Sequence, residues 1–186
     1  MENAAPFSHG GQMSFATNAH ADLESHDRYL GIDPGLNRTG YAVLERRSKG
    51  PFLVEGGILR STSTDALHHR VLEIARGLRE VLDELKPEVV AIEQVFSHVQ
   101  NPKTALLMAH VRGGILLTIA ETGIPVVDYT PTQIKRLLTG SGKASKEQIQ
   151  HAVKAELKLD KIPEPNDVAD ASAIALCLYH SVRYAA

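Results

Sequence analysis

From Arg28 onward the apolar and polar positions fall into an ordered pattern, and before it they do not. Tyr29–Asp33 and Gly40–Leu44 are short apolar stretches separated by Pro34-Gly35-Leu36-Asn37-Arg38, which predicts two strands joined as a hairpin. Phe52–Leu59 predicts a third strand, with Gly50-Pro51 as the turn ahead of it. Leu67, Val71, Ile74, Leu78, Leu82 and Leu85 then recur at helical spacing behind a candidate cap at Thr64 or Asp65, and Pro87 ends the run. Val89-Val90-Ala91-Ile92 is apolar without alternation, as expected of a strand buried on both faces. Beyond it the pattern predicts a helix over about Pro102–Thr122, a strand over Ile124–Tyr129, and helices over Gln133–Leu138, Ser145–Leu157 and Asn166–Tyr184.

The order βββαβαβ followed by helices predicts an α/β fold. Its mixed five-stranded sheet joins an antiparallel three-strand meander to two strands reached by helical crossovers, with helices on both faces. Residues 28–186 form one domain in this reading, and residues 1–27, rich in Ala, Ser, His and Gly and without periodicity, form a disordered tail. A length of 186 residues suits a single domain, and 43% apolar with 23% charged residues is an ordinary globular mixture. The one cysteine, Cys177, excludes an internal disulfide and a thiolate metal site and fits a reducing compartment. No uninterrupted apolar run reaches the length of about 18 residues needed for a membrane span. The N-terminal stretch also has neither the basic residues nor the apolar core of a targeting peptide. A cytoplasmic protein with no membrane partner is the expectation.

A formal net charge of −2 argues at first against a nucleic-acid partner. The charge is uneven, however: residues 1–27 hold four acids and no Lys or Arg, which leaves +2 on the rest, and residues 131–161 carry seven basic residues against three acids. Local charge guides a polyanion where the total does not. Lys135, Arg136, Lys143 and Lys146 surround Gly140-Ser141-Gly142, a flexible basic segment suited to phosphates, although the same residues would also serve as a solvated face.

The informative residues are acids in unlikely places. Asp33 closes the first strand ahead of Pro34-Gly35, as a turn residue or as something more. Glu93 ends the apolar strand at Val89–Ile92, where it faces solvent or a crevice, and crevices at strand ends are where sites lie. Asp167 and Asp170, three apart at the start of a helix, share one face. Asp167 suits the helix dipole. Asp170 sits among Val168, Ala169, Ala171, Ala173, Ile174 and Leu176, and an unpaired carboxylate buried there costs several kcal/mol, so a cation, from protein or metal, belongs nearby. Convergence of the four acids would offer oxygen ligands alone, which favours hard ions such as Mg²⁺ or Mn²⁺, and two such ions clamp an in-line displacement at phosphorus.

Three segments carry a resemblance: Gly31-Ile32-Asp33-Pro34-Gly35 with Thr39-Gly40-Tyr41, then Ala91-Ile92-Glu93-Gln94-Val95-Phe96, then Asp167-Val168-Ala169-Asp170-Ala171-Ser172-Ala173-Ile174-Ala175. Over about residues 28–183 the chain resembles the RuvC family of Holliday-junction resolvases, crossover-junction endodeoxyribonucleases with a ribonuclease-H-like fold. The resemblance implies that Asp33, Glu93, Asp167 and Asp170 are the metal-binding catalytic acids, with Mg²⁺ (or Mn²⁺ in its place) and two ions per site. Some relatives carry His at the position of Asp167. Lys135 and Lys146 match basic residues that contact junction DNA, to which Lys143 is added from its place in the loop. Phe96 matches an aromatic that stacks on an unpaired base, with a core phenylalanine as the competing reading. The resemblance further implies four-way junction DNA as substrate, a homodimer, and the RuvA-RuvB branch-migration complex as partner. The helix at 102–122 has more apolar surface than one sheet face needs, which suits a self-complementary dimer contact or two-sided burial within the monomer.

Three rivals stand beside this reading. An actin-like ATPase or sugar kinase shares the core but needs a second such domain, for which 159 residues leave no room. A non-catalytic junction-binding protein is disfavoured by the presence of all four acids. A related ribonuclease-H-like nuclease acting on other branched DNA or on RNA is the nearest alternative.

Overall fold

The computed structural model describes residues 26–94 and 102–185. The strands are β1 (Arg28–Asp33), β2 (Arg38–Arg47), β3 (Gly50–Arg60), β4 (Val89–Glu93) and β5 (Val126–Tyr129). They form one sheet in the order β3-β2-β1-β4-β5, antiparallel from β3 to β1 and parallel from β1 to β5. This is the mixed sheet predicted from the pattern. Helices α1 (Leu67–Leu85) and α2 (Pro102–Ala120) form the two crossovers. After β5 come α3 (Pro131–Thr139), α4 (Lys146–Glu156) and α5 (Asn166–Ala185).

Strand alternation sorts the side chains into two cores. Leu30, Ile32, Val43, Val90 and Ile92 meet α1 and α2 on one face, while Tyr29, Leu44, Val89, Ala91, Val127 and Tyr129 meet α3, α4 and α5 on the other. Helix α5 is nearly enclosed, and the glycines beneath it explain its depth. A Cβ on Gly31 would stand 2.2 Å from the Ala171 carbonyl oxygen, and one on Gly40 2.2 Å from that of Asp167. The helix therefore lies with its backbone directly on β1 and β2.

Two local expectations are corrected. Gly50 and Pro51 belong to β3, and the turn falls instead at Ser48-Lys49, with Gly50 at φ +114° leading out of it. Pro51 fits because β3 is an edge strand and tolerates a missing ladder donor. Helix α1 has Ala66 at its N-cap with no side-chain cap, so neither Thr64 nor Asp65 caps it. The loop is tied down instead by Glu73, which accepts from the Thr62 backbone N–H at 2.7 Å and from its hydroxyl at 2.9 Å. The helix stops ahead of Pro87 as expected, capped by Lys86, which is left-handed (φ 46°) with its N–H on the Leu82 carbonyl.

Of the predicted tail, residues 1–25 lie outside the described residues. His26 and Asp27 are joined to the domain: the Asp27 N–H donates to Glu88 Oε2 at 2.9 Å, and the Arg46 N–H donates to the Asp27 carbonyl at 2.7 Å. Helix α2 is long and apolar enough, by length and composition, to cross a membrane. One side of it packs on the sheet and α1 through Val111, Ile115 and Ile119, while Leu106 and Leu117 are more than 60% exposed.

Candidate active site

Parallel pairing of β1 with β4 sets Ile32 beside Ile92. The next residue on each strand, Asp33 and Glu93, therefore stands at the carboxyl edge of the sheet on the α5 face, by the same alternation that puts Tyr29, Ala91 and Gly31 there. Helix α5 delivers Asp167 from its first turn and Asp170 from the start of its second. The close approach over Gly40, which is the register partner of Asp33, brings these short side chains within electrostatic reach of the strand ends.

Two capped helices supply cations. Thr130 follows β5 directly and caps α3 in a reciprocal box with Gln133, and Ser145 caps α4 in the same way with Gln148. These boxes set Lys135 on α3 and Lys146 at the first position of α4. A lysine in the first turn opposes the helix dipole. The opposition is offset by Asp170, whose Oδ2 accepts from Lys146 Nζ at 2.7 Å. Asp33, Glu93, Asp170, Lys135 and Lys146 line one cleft of about 290 Å³, floored by Ile134, Ile149 and Ala173.

The charges in this cleft are strongly coupled. Burial, then the neighbouring carboxylates of Glu93, Asp170 and Asp167, push the Asp33 carboxyl up to about 7, against a smaller pull from Lys146. Glu93 is raised by burial and by Asp170, with Lys135 and Lys146 opposing. Lys146 in turn holds its proton more tightly, chiefly through its hydrogen bond to Asp170. Such mutual repulsion among acids is what a divalent cation relieves.

Other predicted site residues stand differently. Asp167 lies beside the cleft and does not line it; its Oδ2 is 3.0 Å from Arg38 Nη2. Lys143 is exposed on the loop and is not among the lining residues. Phe96 lies outside the described residues. Two arginines were not singled out from sequence. Arg38 is two residues before Gly40 on β2, a same-face spacing that was there to be read. Arg112, a lone guanidinium within the apolar run of α2, donates from Nε to the Glu93 carbonyl oxygen at 3.3 Å and pairs with Asp128.

Among the described residues, no three His, Cys, Asp or Glu side chains are drawn tightly enough to hold a metal ion as placed. Lys146 and Arg38 instead turn Asp170 and Asp167 toward themselves. The donor set nevertheless fits a hard divalent cation. It consists of carboxylates alone, and one of them is pushed toward protonation by burial and by its neighbours. Among the described residues the buried Asp167 Oδ2 accepts no hydrogen bond, its contact with Arg38 being an ion pair alone.

The family model of crossover junction endodeoxyribonuclease RuvC matches residues 29–178. The chain is 51% identical over 148 residues to the crossover junction endodeoxyribonuclease RuvC of Rhodopirellula baltica, covering 80% of this chain and 83% of that one. It is similar to the RuvC structure of Thermus thermophilus, with TM-score 0.76 and 34% identity over 82% of this chain and 95% of that one. The same bacterium's RuvC in complex with a Holliday junction substrate matches at TM-score 0.78 and 32% identity, over 85% of this chain and 97% of that one.

Proposed function

This chain belongs to the RuvC family of crossover junction endodeoxyribonucleases, and we propose that it cuts Holliday junctions at the cleft between the carboxyl edge of its sheet and the N-terminal part of α5. The single observation that carries the assignment of the site is the gathering of Asp33, Glu93 and Asp170 in one cleft with Asp167 alongside. The family is metal-dependent. For the metal we propose Mg²⁺, with Mn²⁺ able to replace it and two ions per site, held by Asp33, Glu93, Asp167 and Asp170. Bound there, such ions supply positive charge to a phosphate and lower the pKa of water.

The remaining tasks belong to the chain itself. Lys135 and Lys146 present ammonium groups at the cleft wall, where a scissile-strand phosphate is to be oriented, and Lys143 extends this basic rim outward along its loop. Phe96 is assigned to stacking on a base near the crossover. The floor of Ile134, Ile149 and Ala173 keeps these charges in a partly dry setting, which strengthens them.

A junction has two-fold symmetry and two strands to cut, which calls for a two-fold enzyme. We assign the dimer contact to the outward face of α2, where Leu106 and Leu117 are 62% and 64% exposed. A cytoplasmic setting is supported by the lone, buried Cys177, and family membership supports the RuvA-RuvB complex as partner. The decisive experiment incubates a synthetic mobile four-way junction beside matched duplex with Mg²⁺, with Mn²⁺ and with EDTA. Paired symmetric cuts in the junction alone, lost in EDTA, are the expected result. Equal cutting of duplex, or cutting in EDTA, overturns the assignment; preference for branched RNA moves it to the nearest rival.

A further inference from the structure

Arg38 opens β2 on the face that α5 covers, and its cross-strand partner is Arg60, the last residue of β3. Two like charges set directly opposite on paired strands destabilise a sheet. One of the two is compensated: Arg38 Nη2 stands 3.0 Å from Asp167 Oδ2. Arg60 is exposed and makes no ion pair among the described residues. The loop ahead of Arg38 is fixed, since Arg70 donates to Ser61 Oγ at 3.1 Å and to Asn37 Oδ1, and the Ser61 N–H donates to the Asn37 carbonyl. The strand end is therefore rigid, whereas the Arg38 side chain is 47% exposed and free to swing. Among the described residues Arg38 is the one ion-pair partner of this buried Asp167 oxygen, which accepts no hydrogen bond, and the same oxygen is a proposed metal ligand.

We propose that Arg38, with Arg60 beside it, is a phosphate-binding arm on the sheet side of the cleft, which neutralises Asp167 in the metal-free protein and turns to a substrate phosphate when divalent cations take over that carboxylate. The guanidinium fork suits a phosphate as well as it suits a carboxylate. This bank faces the lysines of α3 and α4 across the acids, so the cleaved strand is held from both sides. The proposal rests on the metal-dependent nuclease reading given above.

The test compares parent, Arg38→Gln, Arg38→Lys and Arg60→Gln, each checked for fold by circular dichroism. Mn²⁺ binding is titrated without DNA, and the salt dependence of junction affinity is measured in Ca²⁺ and in EDTA. Arg38→Gln is expected to bind Mn²⁺ several-fold more tightly, because a competing cation has gone. Its salt slope should fall by about 0.9 in Ca²⁺ and by less than half of that in EDTA, where the parent arginine is occupied by Asp167. Arg60→Gln should lower the slope about equally in both, and Arg38→Lys should keep the parent's metal response. Unchanged Mn²⁺ affinity, or a slope change in Arg38→Gln that ignores the metal, overturns the proposal. A parent that binds Mn²⁺ and cuts junctions while Arg38→Gln matches it throughout removes the arm and leaves the nuclease. A parent that does neither removes both.

Discussion

The two faces of the sheet are built on opposite principles. On the face of α1 and α2, large aliphatics such as Leu30, Ile32, Ile74, Leu78, Ile92 and Ile115 hold helix and sheet apart in the ordinary way. On the face of α5, glycine replaces side chain at the crossing points, and helix backbone rests on strand backbone. The first arrangement yields a thick apolar core and spare apolar surface on α2. The second buries α5 almost completely and brings the shortest acid, aspartate, within reach of strand ends. Proximity is what a multi-carboxylate site requires, and only the glycine face supplies it.

The sharpest break in this comparison comes from neutralising an acid on the α5 face. Glu93→Gln and Asp170→Asn should remain folded and bind junctions at least as well as the parent, since repulsion has been removed. Their cleavage should fall by about 10³-fold or more, roughly 4 kcal/mol of lost transition-state stabilisation. Single-turnover cleavage and binding on the same preparations check this. Near-parental cutting by Asp170→Asn would refute the four-carboxylate site.

The next effect is on stability and carries a sign. Asp33 has a folded-state pKa of about 7 against an ordinary 3.8, so the folded protein binds this proton more tightly than the unfolded chain. Its contribution is therefore best below pH 4, is lost as pH rises from about 4 to 7, and stays lost above. The loss is bounded at about 4 kcal/mol. In the absence of divalent ions, Asp33→Asn should match the parent near pH 4 and exceed it at pH 8. Adding Mn²⁺ at pH 8 should stabilise the parent far more than the variant. Parallel melting curves across pH for the two proteins would contradict the coupling.

Gly31→Ala tests the close packing itself. Its methyl would meet the Ala171 carbonyl and the Ala175 N–H and Cβ within 2.8 Å, and backbone cannot yield as a side-chain tip does. Overpacking of this kind costs about 3 kcal/mol or more. Urea unfolding should show it, together with lost metal-dependent cleavage, because α5 must lift and carry Asp167 and Asp170 with it.

Much of this was legible in the sequence. Strand and helix order, the acids and the basic loop all leave local marks: alternation, helical spacing, a carboxylate amid apolar neighbours. What escaped is set by contacts distant in sequence. The glycines at 31 and 40 read as ordinary strand glycines until α5 is laid across them. Arg38 and Arg112 act through partners 129 and 16 positions away, at Asp167 and Asp128, which no local period announces. The missing cap of α1 escaped for a related reason: Glu73 secures the loop at Thr62 from inside the helix, so Thr64 and Asp65 are left without the role their residue types suggested.

On the other face the expected effects are smaller and concern the spare surface. Leu117→Glu should leave the monomer folded, because that side chain is mostly exposed, and should shift sedimentation from dimer to monomer. Leu107 is a poorer probe, being partly buried against the body of the protein. A Leu117→Glu protein that sediments as a dimer would place the contact elsewhere.

The smallest effect closes the comparison, because it is the Gly31 substitution repeated where the sheet does not press. A Cβ on Gly113 meets nothing within 4 Å, whereas one on neighbouring Gly114 would stand 2.5 Å from Val71 Cγ1 of α1. Glycine within a helix costs just under about 1 kcal/mol relative to alanine. Gly113→Ala should therefore stabilise the dilute monomer by about that amount, the opposite sign to Gly31→Ala, and Gly114→Ala should gain less because Val71 must shift. Protein concentration sharpens the result. Gly113 lies between Leu106 and Leu117 on the outward face of α2, so in a dimer built on that face the added methyl enters the seam. The advantage of Gly113→Ala should then shrink as concentration rises through the dimerisation range. Urea curves at two concentrations decide it: a constant gain would free Gly113 from the interface, and a vanishing one would place it there.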